Sequence, residues 1–298
     1  PIDDILKLFN EVYVQLAALD SAQKSKTAPP PAGGAAALKA AAGQQPEPIR
    51  GVLEKLAGVA ASQGQAVERG SLNTELKPIS EFCARAVTGR YPFTGSSKSD
   101  VPIADFGDLF GAGGQFDEFF KGKLANLVDI GTNPWSFKPG ADGTKPVNPA
   151  GLADFQRAAR IRDVFFRNGG KSPAFRIDVR ALEMAEGLKE ISLDIDGQVS
   201  KFVAGNTAPV TLQWPSTKLA TQIKLVAQPS GANMTFDGPW ALFRLFDRFD
   251  VQATPQPERF TVDMVLDGKR ARLEVTASSV FNPFRLRELQ QFRCPGSL

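Results

Sequence analysis

Apolar positions in the first half of the chain recur at three- and four-residue spacing, the mark of helices that bury one face. Ile5, Leu6, Phe9, Val12, Leu16 and Leu19 form one such stripe and predict a helix over Ile2–Leu19. Thr27–Pro48 is rich in Pro, Ala and Gly, including Pro29-Pro30-Pro31, and reads as a mobile surface connection with a short helix over Ala35–Ala42. Helical spacing returns at Val52, Leu53, Leu56, Val59 and Ala60, and again over Leu76–Val87, which ends at Thr88-Gly89. Two further helices, Ile103–Phe110 and Phe116–Val128, are separated by Gly111-Ala112-Gly113-Gly114, and Leu152–Phe166 is the last before the texture changes. Asn133–Asn148 reads as a long irregular loop.

From Ser172-Pro173 the period drops to two. Phe175–Val179, Ile191–Ile195, Val199–Val203, Val210–Trp214, Gln222–Ala227, Phe260–Leu266 and Arg270–Thr276 read as half-buried strands. Asp196-Gly197 and Asp267-Gly268 stand between alternating runs, a strong hairpin signal because both turn positions need positive φ. Trp240–Phe249 is a short helix behind Gly238-Pro239. Short antiparallel strands at close spacing argue for a β-sandwich. The expected class is α+β: a helical domain over 1–171, with a flexible segment at 27–48, then a sandwich domain over 172–298.

Composition narrows the chemistry. Among 298 residues there are 35 basic and 32 acidic, a net charge of +3, and neither half holds the excess that marks a nucleic-acid binder. The chain has no histidine, which removes Ser-His-Asp and Cys-His nucleophiles, His-based zinc sites and an imidazole base. Two cysteines alone build no zinc site. No run approaches the roughly 20 apolar residues needed to span a bilayer. The opening residue is Pro1, so the sequence is expected to be a piece of a longer protein.

Near-motifs fail on context. Gly169-Gly170-Lys171-Ser172 lacks the earlier glycine of a phosphate loop, since Phe165 stands there, and it follows a helix rather than a strand. Gly111-Ala112-Gly113-Gly114 lacks the third spaced glycine of a dinucleotide fold. Ser21-Ala22-Gln23-Lys24 matches Ser-x-x-Lys without its companion motifs. Asp194-x-Asp196-Gly197 lacks the rest of a calcium loop. Cys83 and Cys294 permit a bridge worth ~4–5 kcal/mol. Cys83 falls on the apolar side of a helix, however, and two free thiols are the favoured expectation.

A series of phrases then runs in order along the chain: Phe82-Cys83, Arg90-Tyr91-Pro92-Phe93, Asp105-Phe106, Leu109-Phe110, Asn133-Pro134-Trp135, Ile161-Arg162, Phe165-Phe166, Trp214-Pro215, Gly238-Pro239-Trp240-Ala241-Leu242-Phe243, Asn282-Pro283-Phe284 and Phe292-Arg293-Cys294-Pro295. From about Leu76 onward it resembles the C-terminal periplasmic region of the TssM (IcmF-like) proteins of bacterial type VI secretion. The resemblance implies a non-catalytic, cofactor-free periplasmic module, anchored in the inner membrane by upstream segments. It implies binding to the outer-membrane lipoprotein TssJ, and assembly with TssL and other TssM copies. The competing readings are a carboxylate-based cell-wall hydrolase and a small-ligand binder at the junction of the domains. Because loops are the freely variable parts of a sandwich, the partner contact is expected at Asp196, Gly197, Asn206, Thr207, Asp267 and Gly268, with Lys269, Arg270 and Arg272 steering an acidic partner.

Overall fold

The computed structural model describes residues 2–27, 33–139, 149–218 and 221–298. Pro29-Pro30-Pro31 and residues 140–148 of the expected loop over Asn133–Asn148 lie outside the described residues. Helices α1 (Ile2–Ser25), α2 (Gly33–Ala42), α3 (Ile49–Val87), α4 (Ile103–Phe110), α5 (Gln115–Phe119) and α6 (Pro149–Phe165) fill the first half. A π-helical turn, Phe120–Leu124, follows α5, and the short strands β1 (Val128–Asp129) and β2 (Ser136–Phe137) pair antiparallel. The second half holds β3 (Phe175–Met184), β4 (Glu190–Ile195), β5 (Gln198–Val203), β6 (Val210–Trp214), β7 (Gln222–Gln228), β8 (Asn233–Asp237), α7 (Ala241–Asp247), β9 (Asp250–Ala253), β10 (Arg259–Leu266), β11 (Lys269–Ala277) and α8 (Arg287–Gln291). The class is thus α+β, a helical region followed by antiparallel sheets.

The chain divides into two compact units. The first gathers Pro1–Glu81, Phe119–Asp154 and Pro295–Leu298. Its core is small: Val12 of α1, Leu38 and Ala42 of α2, and Leu53 and Ala57 of α3 pack together, with Phe9, Leu16 and Leu56 around them. The alanine-rich stretch expected to be mobile is therefore anchored through Leu38, which is 1% exposed. The break expected after Ala60 is absent, and α3 runs unbroken through Gly64, Gly70 and Pro78. Buried Val67 and Leu76 carry its packing across that polar stretch, so tertiary contacts override weak local propensity.

The second unit, Phe82–Glu118 and Phe155–Cys294, contains the sandwich. One sheet has the order β6-β3-β11-β10-β9 and the other β5-β4-β7-β8, all antiparallel. Alternation sends Ile177, Val179, Val262 and Val275 of the first sheet, and Ile191, Leu193 and Leu225 of the second, into the interior. The sandwich does not close on itself. Its core continues into α4 and α6 through a chain of rings: Trp214 lies 4.8 Å from Trp240, Trp240 5.2 Å from Phe106, and Phe106 5.2 Å from Phe165. Trp240 is fully buried, and its indole N–H donates to the Val101 carbonyl at 2.8 Å. Gly107 has no side chain because the backbone of Lys171 passes there: a Cβ would stand 1.9 Å from that carbonyl oxygen.

The favoured expectation for the cysteines is overturned. Cys83 and Cys294 form a disulfide with Cα atoms 5.7 Å apart, tying the last turn of α3 to the C-terminal segment. The apolar face that suggested a buried thiol is what brings Cys83, 0% exposed, beside the segment anchored by buried Phe292. Burial and bonding coexist here, and periodicity alone could not tell them apart.

Candidate functional site: the loops of the sandwich

Both Asp-Gly hairpins form as expected. Asp196 and Gly197 (φ 54° and 92°) turn β4 into β5, and Asp267 and Gly268 (φ 51° and 72°) turn β10 into β11. These are the φ signs a two-residue turn with the right-handed strand twist requires. The structure places them at opposite ends of the sandwich. At one end the connection 185–189 holds both sheets: the Ala185 N–H donates to the Arg270 carbonyl at 2.8 Å, and the Lys189 N–H to the Gln228 carbonyl at 2.9 Å. The Ala204 N–H donates to the Lys189 carbonyl at 2.9 Å, which brings the β5–β6 connection to the same end. Asn206, Thr207, Asp267, Gly268 and Lys269 are therefore gathered at one end, while Asp196 and Gly197 lie one strand length away.

The far turn is occupied internally. The Asp196 carboxylate accepts from the Ser216 hydroxyl and from the Gln222 N–H at 2.8 Å, and the Asp196 carbonyl accepts from Lys218 Nζ at 2.6 Å. It buckles the β4–β5 hairpin to the β6–β7 connection.

At the near end the charges separate into two kinds. Arg270 and Arg272 converge on Asp263 of the neighbouring strand, at 2.9 Å and 2.8 Å. The bonds from Arg272 and Arg270 hold the Asp263 carboxyl down at about 2. Two guanidiniums sharing one carboxylate leave a reduced net field, so most of the expected steering charge is tied into an outer-face ladder that continues with Arg180 and Glu274, 2.7 Å apart. Lys269 instead leans over the 185–189 connection, where a Cβ on Gly187 would come within 2.4 Å of its Nζ. Asn206 closes its own turn, its Oδ1 accepting from the Ala208 N–H at 2.9 Å, and Thr207 beside it is exposed.

Sequence reasoning missed the apolar part of this end. Leu182, Val203 and Val265 are 39%, 39% and 61% exposed, and each sits at or within two residues of the end of its strand. A β-bulge beside Leu182 breaks the alternation that would have marked it. Exposed apolar side chains grouped with loop tips are the ordinary composition of a protein contact. Among the described residues no cluster of three or more His, Cys, Asp or Glu is placed to hold a metal, and no helix is long and apolar enough to cross a membrane.

A helical region followed by a two-sheet sandwich, with a disulfide from α3 to the C-terminal segment, defines a recognisable class. The model of the type VI secretion protein IcmF helical domain matches residues 68–171, and that of the IcmF C2-like domain matches 177–279. The type VI secretion system component TssM1 of Pseudomonas aeruginosa is 34% identical over 307 residues, covering 100% of this chain and 28% of that protein. The chain belongs to the IcmF (TssM) family of type VI secretion proteins and spans just over a quarter of that relative's length. Its fold is shared with the TssM C-terminal domain from EAEC, with a TM-score of 0.65 and 20% identity over 77% of this chain and 98% of that one. It is also shared with a chain of a type VI secretion system membrane core complex, with a TM-score of 0.73 and 19% identity over 95% of this chain and 60% of that one.

Proposed function

We propose that this chain is a non-catalytic, periplasmic module of the type VI secretion membrane complex that binds the outer-membrane lipoprotein TssJ. The likeness to TssM1 over the whole of this chain, with the fold shared with a chain of a type VI secretion system membrane core complex, supports the assignment to the complex. Two features support the finer reading. The Cys83–Cys294 disulfide belongs to an oxidising compartment, as the periplasm is. The loop end of the sandwich offers exposed apolar side chains, hydrogen-bonding tips and the cations Lys189 and Lys269.

The contact is placed at Asn206, Thr207, Asp267, Gly268 and Lys269, flanked by Leu182, Val203 and Val265. Asp196 and Gly197 act as a structural buckle, and Arg270 and Arg272 stiffen the outer face through Asp263. Such a module acts by geometry: one face holds the lipoprotein while the rest of the parent protein, together with TssL and further TssM copies, bears the load. Immobilised TssJ from the same organism should retain the oxidised chain after washing at physiological salt. Passage of the chain at the same rate as an unrelated protein would overturn the lipoprotein reading.

A further inference from the structure

β9 is the free edge of the five-stranded sheet: its backbone pairs with β10 on one side, and among the described residues no strand lies on the other. Natural sheets blunt such edges with lysine, proline or a covering element, because the unpaired N–H and C=O groups recruit further strands. β9 has the sequence Asp-Val-Gln-Ala, with neither Lys nor Pro. A groove of about 700 Å³ runs beside it, a volume typical of built binding sites.

Register decides what that groove is for. Val251 and Ala253 stand opposite Val262 and Phe260, both core residues, so they face the sandwich interior. They also line the groove, along with Phe284 and Leu289. The groove is thus the interior of the sandwich continued past its edge. A strand added beside β9 would direct every second side chain into it.

The charge of the walls selects the strand. Asp247 is occupied: it accepts from the Tyr91 hydroxyl at 2.6 Å and pairs with Arg285 at 2.8 Å. Arg160 lies over the Phe281 ring at 4.4 Å and pairs with Glu288 at 3.7 Å. Arg287 is exposed and makes no ion pair among the described residues. Among the described residues that line the groove, the charge left without an ion pair is Arg287, a guanidinium that suits a carboxylate.

We propose that β9 and this groove bind an extended acidic peptide segment of a partner protein as a sixth strand, with alternate apolar side chains in the groove and a carboxylate on Arg287. This surface is separate from the loop end assigned to TssJ. Four edge residues expose the backbone groups of only about two, so the groove must contribute most of the affinity and the arginine the choice of sequence.

The test uses the whole oxidised chain. The probe is a fluorescein-labelled peptide of roughly eight residues, alternating valine and threonine with two glutamates, and its counterpart with lysines in their place. Anisotropy should show the acidic peptide binding at least tenfold more tightly than the lysine peptide. R287E should reverse that preference, and hydrogen exchange over Asp250–Ala253 should slow only with the acidic peptide. Equal binding of both peptides, no binding, or unchanged exchange at β9 would overturn the proposal. So would a dimer of the free chain that R287E abolishes, since that assigns the groove to a second copy.

Discussion

Removing the disulfide by the double substitution Cys83→Ala and Cys294→Ala should destabilise the second unit more than any surface change. The bridge joins positions 211 residues apart. In the chain-entropy treatment a loop of that length constrains the unfolded chain by about 5 kcal/mol at 25 °C, and native bridges typically return about 2–5. A loss of about 3–5 kcal/mol is large beside a usual domain stability of about 5–15. With a urea dependence of roughly 2–3 kcal/mol per molar for a unit of this size, the midpoint should fall by about 1–2 M. Alanine at position 83 adds little, since it trades one small apolar group for another at a site that is 0% exposed. The assay is urea unfolding followed by tryptophan fluorescence, in which Trp214 and Trp240 report the second unit and Trp135 the first. Alkylation under denaturing conditions should find no free thiol in the oxidised chain. Two alkylated cysteines per chain, or a midpoint moved by less than about 0.3 M, would refute the reasoning.

Three further outcomes are expected. Gly107→Ala should cost about 2–4 kcal/mol and lower the Tm by roughly 5–15 °C in thermal unfolding, because its Cβ would meet the Lys171 carbonyl at 1.9 Å. Asp263→Asn should destabilise the chain at neutral pH; the Asp263 pKa is held down to about 2, so its stabilisation is present above the unfolded value of about 3.9 and fades as pH falls from there toward 2. A stability gap between wild type and D263N that is constant from pH 7 to pH 2 would contradict that sign. Incubation with purified peptidoglycan should release no more muropeptide than buffer, and turnover lost on mutating one carboxylate would reinstate the hydrolase reading.

The two-residue hairpins were legible because Asp-Gly is a local chemical requirement, and α4 because its apolar stripe is complete within eight residues. Features set by distant partners were not. β8 and β9 are short, and their alternation shows only once Phe236 is opposite Ile223 and Val251 opposite Val262. The bond between Cys83 and Cys294 rests on a meeting of segments that no periodicity encodes. The same holds for the candidate surface. Asp196-Gly197 and Asp267-Gly268 read alike in sequence, but strand direction and sheet order send them to opposite ends. Arg270 and Arg272 looked available until cross-strand pairing put Asp263 opposite Arg272, with Arg270 within reach. Leu182, Val203 and Val265 give no sign of exposure in a strand pattern.

The most direct test of the central claim is the affinity of immobilised TssJ for the oxidised chain, measured by interferometry on three proteins: the wild type, a near-end variant (Thr207→Arg with Lys269→Glu and Val265→Asp), and Gly197→Ala as a far-end control. The near-end variant should lose at least a hundredfold in affinity at unchanged thermal stability, while the control binds like the wild type after its own folding is verified. Wild-type affinity in the near-end variant would contradict the account.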